Sequence, residues 1–169
     1  MDHRLQDILS ENLAVVFCGI NPGLRSASEG HHFSNRSNRF WRVLHQAGFT
    51  PHEIVPRLDK TILDYGYGLT TAVERATVRA DELSKDEFHL SIEPFKLKIE
   101  KYKPTYLAFL GKPAYQAFSG KKIIQWGLQD ETFCNAIVWV LPNPSGLNRS
   151  FTLSSLVEHY QALLKHINI

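Results

Sequence analysis

Leu13-Ala-Val-Val-Phe-Cys18, closed by Gly19 and followed by Asn21-Pro22-Gly23, reads as a short strand buried on both faces that ends in a kinked polar turn. Ala136-Ile-Val-Trp-Val-Leu141 repeats the pattern and runs into Pro142-Asn143-Pro144-Ser145-Gly146. Thr105-Tyr-Leu-Ala-Phe-Leu110, ending at Gly111, is a third such run, and a shorter strand falls within Tyr67 to Val73. Helical patterns lie between them. Ser37 or Asn38 caps a helix with Phe40, Trp41, Val43, Leu44 and Ala47 on its apolar side and Gly48 as its stop. Ser84-Lys-Asp-Glu87 fits a capping box for a helix reaching Tyr102, which Pro94 kinks or splits. Lys112 to Phe118 is a short helix, and the segment from Leu153 carries Leu156, Val157, Tyr160, Leu163 and Leu164 at helical spacing. Strands alternating with helices predict an α/β fold: a three-layer α/β/α sandwich whose central sheet is mainly four-stranded and parallel, with right-handed crossovers.

In such a sheet ligands bind at the carboxyl ends of the strands. The Asn-bearing turns after the first and last strands are therefore expected to form one polar pocket from distant sequence.

Composition narrows the class. A chain of 169 residues, 43% hydrophobic and 21% charged, buries one good core, and no compositional shift divides it, so residues 1–169 read as one domain. No apolar stretch is long enough for a bilayer span, and Met1-Asp2-His3-Arg4 leads into an amphipathic stretch without the apolar core of a signal peptide. The expectation is a cytoplasmic protein without a membrane partner. Cys18 and Cys134 both sit in apolar segments and read as buried, reduced thiols; two cysteines are also too few for a four-Cys iron–sulfur cluster within the chain. A net charge of +2 is too balanced to indicate nucleic-acid binding by itself, and it accommodates a locally basic face.

The motifs limit the chemistry. Neither a GxxxxGK[ST] phosphate loop, a GxGxxG fingerprint nor a GxSxG elbow is present. His31 and His32 are adjacent rather than spaced as metal ligands, so no metal and no cofactor is expected. Ser145 has no evident base and reads as a turn hydroxyl. An amide such as Asn21 cannot act as a general base near neutral pH. It can orient water and stabilise charge, which confines a reaction built on it to one driven by departure of a good leaving group.

Four stretches in order, GINPG at 19–23, NRFW at 38–41, DYGYGLTTAVER at 64–75 and NPSGLNR at 143–149, with LGKPAYQAF between the last two, closely resemble the mismatch-specific uracil/thymine-DNA glycosylase family, in its bacterial branch. The resemblance implies a monofunctional hydrolase with a uracil-DNA glycosylase-like fold. Such an enzyme flips a mispaired or damaged pyrimidine out of duplex DNA and hydrolyses its N-glycosidic bond, leaving an abasic site for base excision repair. The partner it implies is double-stranded DNA carrying uracil opposite guanine or a related lesion, met by a monomer.

By the same resemblance, Asn21 takes the water-activating position and Asn143 replaces the histidine that stronger relatives carry in the second motif. Phe33 matches the aromatic that stacks on the flipped base, with the backbone near Ile20 reading its polar edge. Ser26 stands where thymine-processing relatives have Ala, and its hydroxyl would crowd a C5 methyl; uracil and ethenocytosine are thus expected ahead of thymine. His32 either touches that edge or lies solvated in its loop. Leu147 matches the wedge that fills the gap left by the extruded nucleotide. Gly146, Asn148 and Arg149 surround the unpaired guanine. Lys112, Lys121, Lys122, Arg36 and Arg39 are candidates for phosphate contacts. Two other readings stay open on the residues alone, a non-catalytic lesion-binding protein and a small nucleotide-binding α/β module.

Overall fold

The computed structural model describes residues 4–168. Met1, Asp2 and His3, part of the leader reading, lie outside them. Five strands form one sheet in the order β2-β1-β3-β5-β4: β1 Val15–Gly19, β2 Tyr67–Thr71, β3 Tyr106–Leu110, β4 Gly127–Phe133 and β5 Ala136–Leu141. The first three and β5 pair in parallel, as the apolar runs predict. β4 is an antiparallel edge strand absent from the four-strand expectation. Its sequence, GLQDETF, is mostly exposed and carries two acids, as suits an edge protected against further pairing.

Side chains alternate across the sheet and fill two cores. Val15 and Phe17 point into the one closed by α2 (Phe40–Gln46) and α5 (Leu153–Ile167). Val16 and Cys18 point into the other, with Phe95 of α3 (Lys85–Tyr102) and Tyr115 of α4 (Lys112–Ser119). The result is the expected three-layer α/β/α arrangement. Phe17 is fully buried and meets Phe40, Phe49 and Tyr67 edge-on and Tyr160 face-on. Truncating such a ring costs about 3–5 kcal/mol.

The caps follow the sequence closely. Ser84 and Glu87 form the capping box of α3, and Thr152 caps α5 by accepting from the Ser155 N–H. α2 is the exception: its cap residue is Arg39, which makes no side-chain cap bond, rather than Ser37 or Asn38, and Asn38 Oδ1 accepts from the Phe40 N–H from one position earlier. Pro94 sits within an unbroken α3. A six-residue helix directly after the first Asn turn, α1 (Leu24–Glu29), was not anticipated; it ends at Gly30 in the left-handed region. Cys18 is buried and burial pushes its thiol pKa well up. Cys134 is only half-buried, because it belongs not to a strand but, with Asn135, to the two-residue turn joining β4 to β5, where both have positive φ.

Asn21 follows β1 and Asn143 follows β5, with β3 between them. Strand spacing of about 4.8 Å leaves these two turns roughly 10 Å apart. Gly111 ends β3 at φ +103, and a Cβ there would stand 3.4 Å from Ile20 Cδ1 and 3.6 Å from Asn143 Cβ. Glycine keeps the middle strand from filling the gap.

Candidate active site

The β1–β2 ladder continues past its strands and holds the first turn. The Ala72 and Val73 N–H groups donate to the Gly19 and Ile20 carbonyls, and the Thr77 N–H donates to the Pro22 carbonyl. Asn21 Nδ2 donates to the Arg75 carbonyl and to Thr77 Oγ1, both at 2.8 Å. Because a carbonyl only accepts, the amide group must face it, and Oδ1 is left without a partner among the described residues. The loop behind it is braced in turn. The Arg75 guanidinium pairs with Glu87 of the α3 capping box and donates to the Glu82 carbonyl. That guanidinium and the Ser84 N–H hold the Glu87 carboxyl down at about 2.

Asn143 is oriented the opposite way. Its Oδ1 accepts from the Ser145 N–H at 2.9 Å in an Asx turn, so Nδ2 is the group left without a described partner. One amide thus offers an acceptor and the other a donor. Both line one cavity of about 260 Å³, together with Ile20, Ser26, His32, Phe33 and Leu147. The two turns do share a pocket, as expected from their places at strand ends.

The second turn is built around Arg39. Its guanidinium donates to the carbonyls of Pro144, Ser145, Asn148 and Phe151 at 2.6–3.3 Å. This corrects its reading as a phosphate contact: its donors are turned inward to backbone carbonyls, of which those of Asn148 and Phe151 have no other donor among the described residues. Gly146 is pressed onto Ser37, where a Cβ would come within 2.7 Å of the Ser37 carbonyl oxygen. Ser145 Oγ accepts from the Leu147 N–H, the local turn role anticipated for it. Leu147 stands 64% exposed at the cavity rim. The Asn148 N–H, carbonyl and side-chain amide are all engaged within the protein, whereas Arg149 is exposed. Among the other cations proposed for phosphate, Lys112 lies 4.4 Å from the Trp126 ring centroid and Lys121 is 3.9 Å from Glu131; Lys122 and Arg36 are exposed.

Phe33 is held at φ +52, a strained conformation for a residue with a Cβ. Three hydrogen bonds bracket it. The His32 N–H donates to buried Asp59, Trp41 Nε1 donates to the His32 carbonyl, and the Ser34 N–H donates to Ser26 Oγ. The ring stacks on Phe40 at 4.1 Å between centroids and meets Trp41 edge-on. His32 is buried, which corrects the solvated-loop alternative. Its Nε2 donates to the Gln6 carbonyl at 2.7 Å, and desolvation lowers its pKa, keeping the ring neutral. Among the described residues no group of three or more His, Cys, Asp or Glu is placed to hold a metal ion, and no helix is long and apolar enough to cross a membrane.

Residues 6–167 match the uracil DNA glycosylase superfamily. The chain belongs to that superfamily. Membership places it among the DNA glycosylases, hydrolases that remove uracil from DNA. The fold is also similar to the solution NMR structure of a candidate uracil DNA glycosylase from Methanosarcina acetivorans, with a TM-score of 0.68 at 20% identity over 99% of both chains. At that identity the likeness speaks to the fold. Among the residues of this glycosylase's cavity region that escaped the sequence reading are Leu5 and Thr77 on its walls and Asp59 behind Phe33. The Asn-Pro-Gly turn announced Asn21, but nothing local announces the carbonyl and hydroxyl that orient it from 54 and 56 residues away.

Proposed function

We propose that this glycosylase is of the mismatch-specific type, excising uracil opposite guanine from duplex DNA by flipping the nucleotide into the cavity between the two Asn turns. The supporting observation is the opposed orientation of the two amides in one cavity. Phe33, already stacked on Phe40, is the platform for the flipped pyrimidine. As the bond from C1′ to N1 breaks, its electron pair leaves with the base, and the charge delocalised onto the ring oxygens is met by Asn143 Nδ2. Asn21 Oδ1 accepts a hydrogen bond from the water that then adds to C1′. That water gives up its proton to solvent or to the departing anion, so no carboxylate is required.

The enzyme is monofunctional in this reading, since neither amide can form a covalent adduct with the sugar. Ser26, with its hydroxyl buried on the cavity wall, ranks uracil and ethenocytosine above thymine. Leu147 supplies the wedge, and Gly146, Asn148 and Arg149 form the side facing the orphan guanine, with the exposed Arg149 the member carrying unspent donors. A monomer working on DNA in the cytoplasm completes the proposal. Single-turnover incubation with duplexes holding uracil, thymine or ethenocytosine opposite guanine or adenine, followed by cleavage at abasic sites, tests it. Uracil release favoured by a guanine partner is expected; release at equal rates opposite adenine and guanine defeats the mismatch assignment.

A further inference from the structure

We infer that Leu5 is a specificity-determining residue of the base cavity, carried there by an N-terminal strap, residues 5–8, that closes the wall behind Ser26 and His32. The inference rests on the glycosylase reading above. Leu5 lines the same cavity as the two Asn turns although it lies outside every motif of the sequence. Its neighbour Gln6 gives its carbonyl to His32 Nε2 at 2.7 Å, which fixes the side of the cavity on which Leu5 stands. The Ser34 N–H to Ser26 Oγ bond puts Ser26 against the same loop.

The strap is anchored too well to be an incidental tail. Ile8 and Leu69 exchange both backbone hydrogen bonds, at 2.9 and 2.8 Å, in an antiparallel bridge on the outer edge of β2. Asp7 accepts from Thr70 Oγ1 and pairs with Lys98 Nζ, each at 2.7 Å. Gly68 permits the contact: a Cβ there would lie 2.7 Å from the Ile8 carbonyl oxygen and 2.6 Å from Leu13 Cδ1. Backbone ladder, ion pair and glycine fix the register of residue 5 against the pocket. A branched apolar side chain so held limits the space available to a substituent on the pyrimidine edge facing Ser26 and His32.

The test compares release of uracil and of 5-bromouracil opposite guanine under single-turnover conditions. Bromine is close to a methyl in size, while its electron withdrawal makes the anion leave readily, so exclusion by size can be read without slow chemistry. Leu5→Ala should raise the bromouracil-to-uracil rate ratio about tenfold, the scale on which a pocket reads a methyl-sized group. Leu5→Met, which conserves volume, should leave the ratio near wild type. Lys98→Met, which unpairs Asp7 without touching the cavity, should shift it in the same direction as Leu5→Ala and by less. The ratio is internal to each preparation, so partial unfolding does not imitate the effect. A Leu5→Ala ratio within twofold of wild type overturns the assignment while leaving the glycosylase reading intact. Release of neither base by the wild-type chain sinks that reading, and this inference with it.

Discussion

Asn21 Nδ2 lies 2.8 Å from the Arg75 carbonyl oxygen, and that contact decides which end of the amide faces water. In the proposed reaction Asn21 acts through the opposite atom, so its loss and its misorientation should differ in size. Asn21→Ala should lower single-turnover excision from a guanine–uracil duplex by about two to three orders of magnitude. Thr77→Val removes one of the two acceptors and should cost about tenfold, the scale of one neutral hydrogen bond. An Asn21→Ala rate within threefold of wild type ends the water-positioning role.

Arg39 acts on the opposite turn. Removing it leaves the carbonyls of Asn148 and Phe151 without their donor and the Ser145 carbonyl with only the Asn148 N–H, and Lys cannot reproduce a planar fork that reaches several oxygens at once. Arg39→Ala should destabilise the protein by about 2–3 kcal/mol in urea denaturation, and Arg39→Lys should recover less than half of that. Full recovery by Lys would mean that charge, not geometry, organises the loop.

Ser26 has two duties that one substitution separates. Its Oγ accepts from the buried Ser34 N–H, and its bulk stands on the cavity wall. Ser26→Ala should therefore raise the thymine-to-uracil rate ratio while lowering stability by about 1–3 kcal/mol through the orphaned N–H. Steady-state melting and parallel excision assays read both. An unchanged ratio removes Ser26 from the discrimination of the C5 methyl.

How far the sequence reached follows from where each interaction is encoded. β1, β3 and β5 are buried on both faces and announce themselves as unbroken apolar runs; β4 is a polar edge strand, and its Cys134-Asn135 turn lacks the usual glycine. α1 reads LRSASE, too short and too polar for a periodic signal. The two Asn turns were legible because Pro and Gly punctuate them. Arg39 was not, because the carbonyls it binds lie 105 to 112 residues away and a carbonyl leaves no mark in sequence. Leu5 and Asp59 reach the site only through tertiary packing.

His32 gives the fold an acid limit. Its pKa is lowered from the ordinary value of about 6.5 because burial disfavours the charged ring. Protons therefore bind the unfolded chain more readily, and the His32 contribution to stability is complete above pH 6.5 and declines as pH falls below it. Urea midpoints should drop between pH 7.5 and 5.5 in the wild type. The drop should be smaller in His32→Gln, whose amide can still donate to the Gln6 carbonyl; equal slopes would place the acid sensitivity elsewhere.

Leu147 is the one large apolar side chain of the second turn left in solvent, on a loop that Arg39 and Gly146 otherwise hold tightly. Rigid backing under an exposed leucine is what a wedge requires, because a side chain that enters a base stack must not recoil when the nucleotide swings out. The cost it offsets, a few kcal/mol of lost stacking, exists only in a duplex. Leu147→Ala should accordingly slow uracil release from a guanine–uracil duplex by about tenfold or more and weaken duplex binding, yet leave release from single-stranded DNA within about threefold of wild type. Equal loss on both substrates would instead assign Leu147 to the chemistry of the cavity or to its fold, and the wedge would have to be sought elsewhere on the rim.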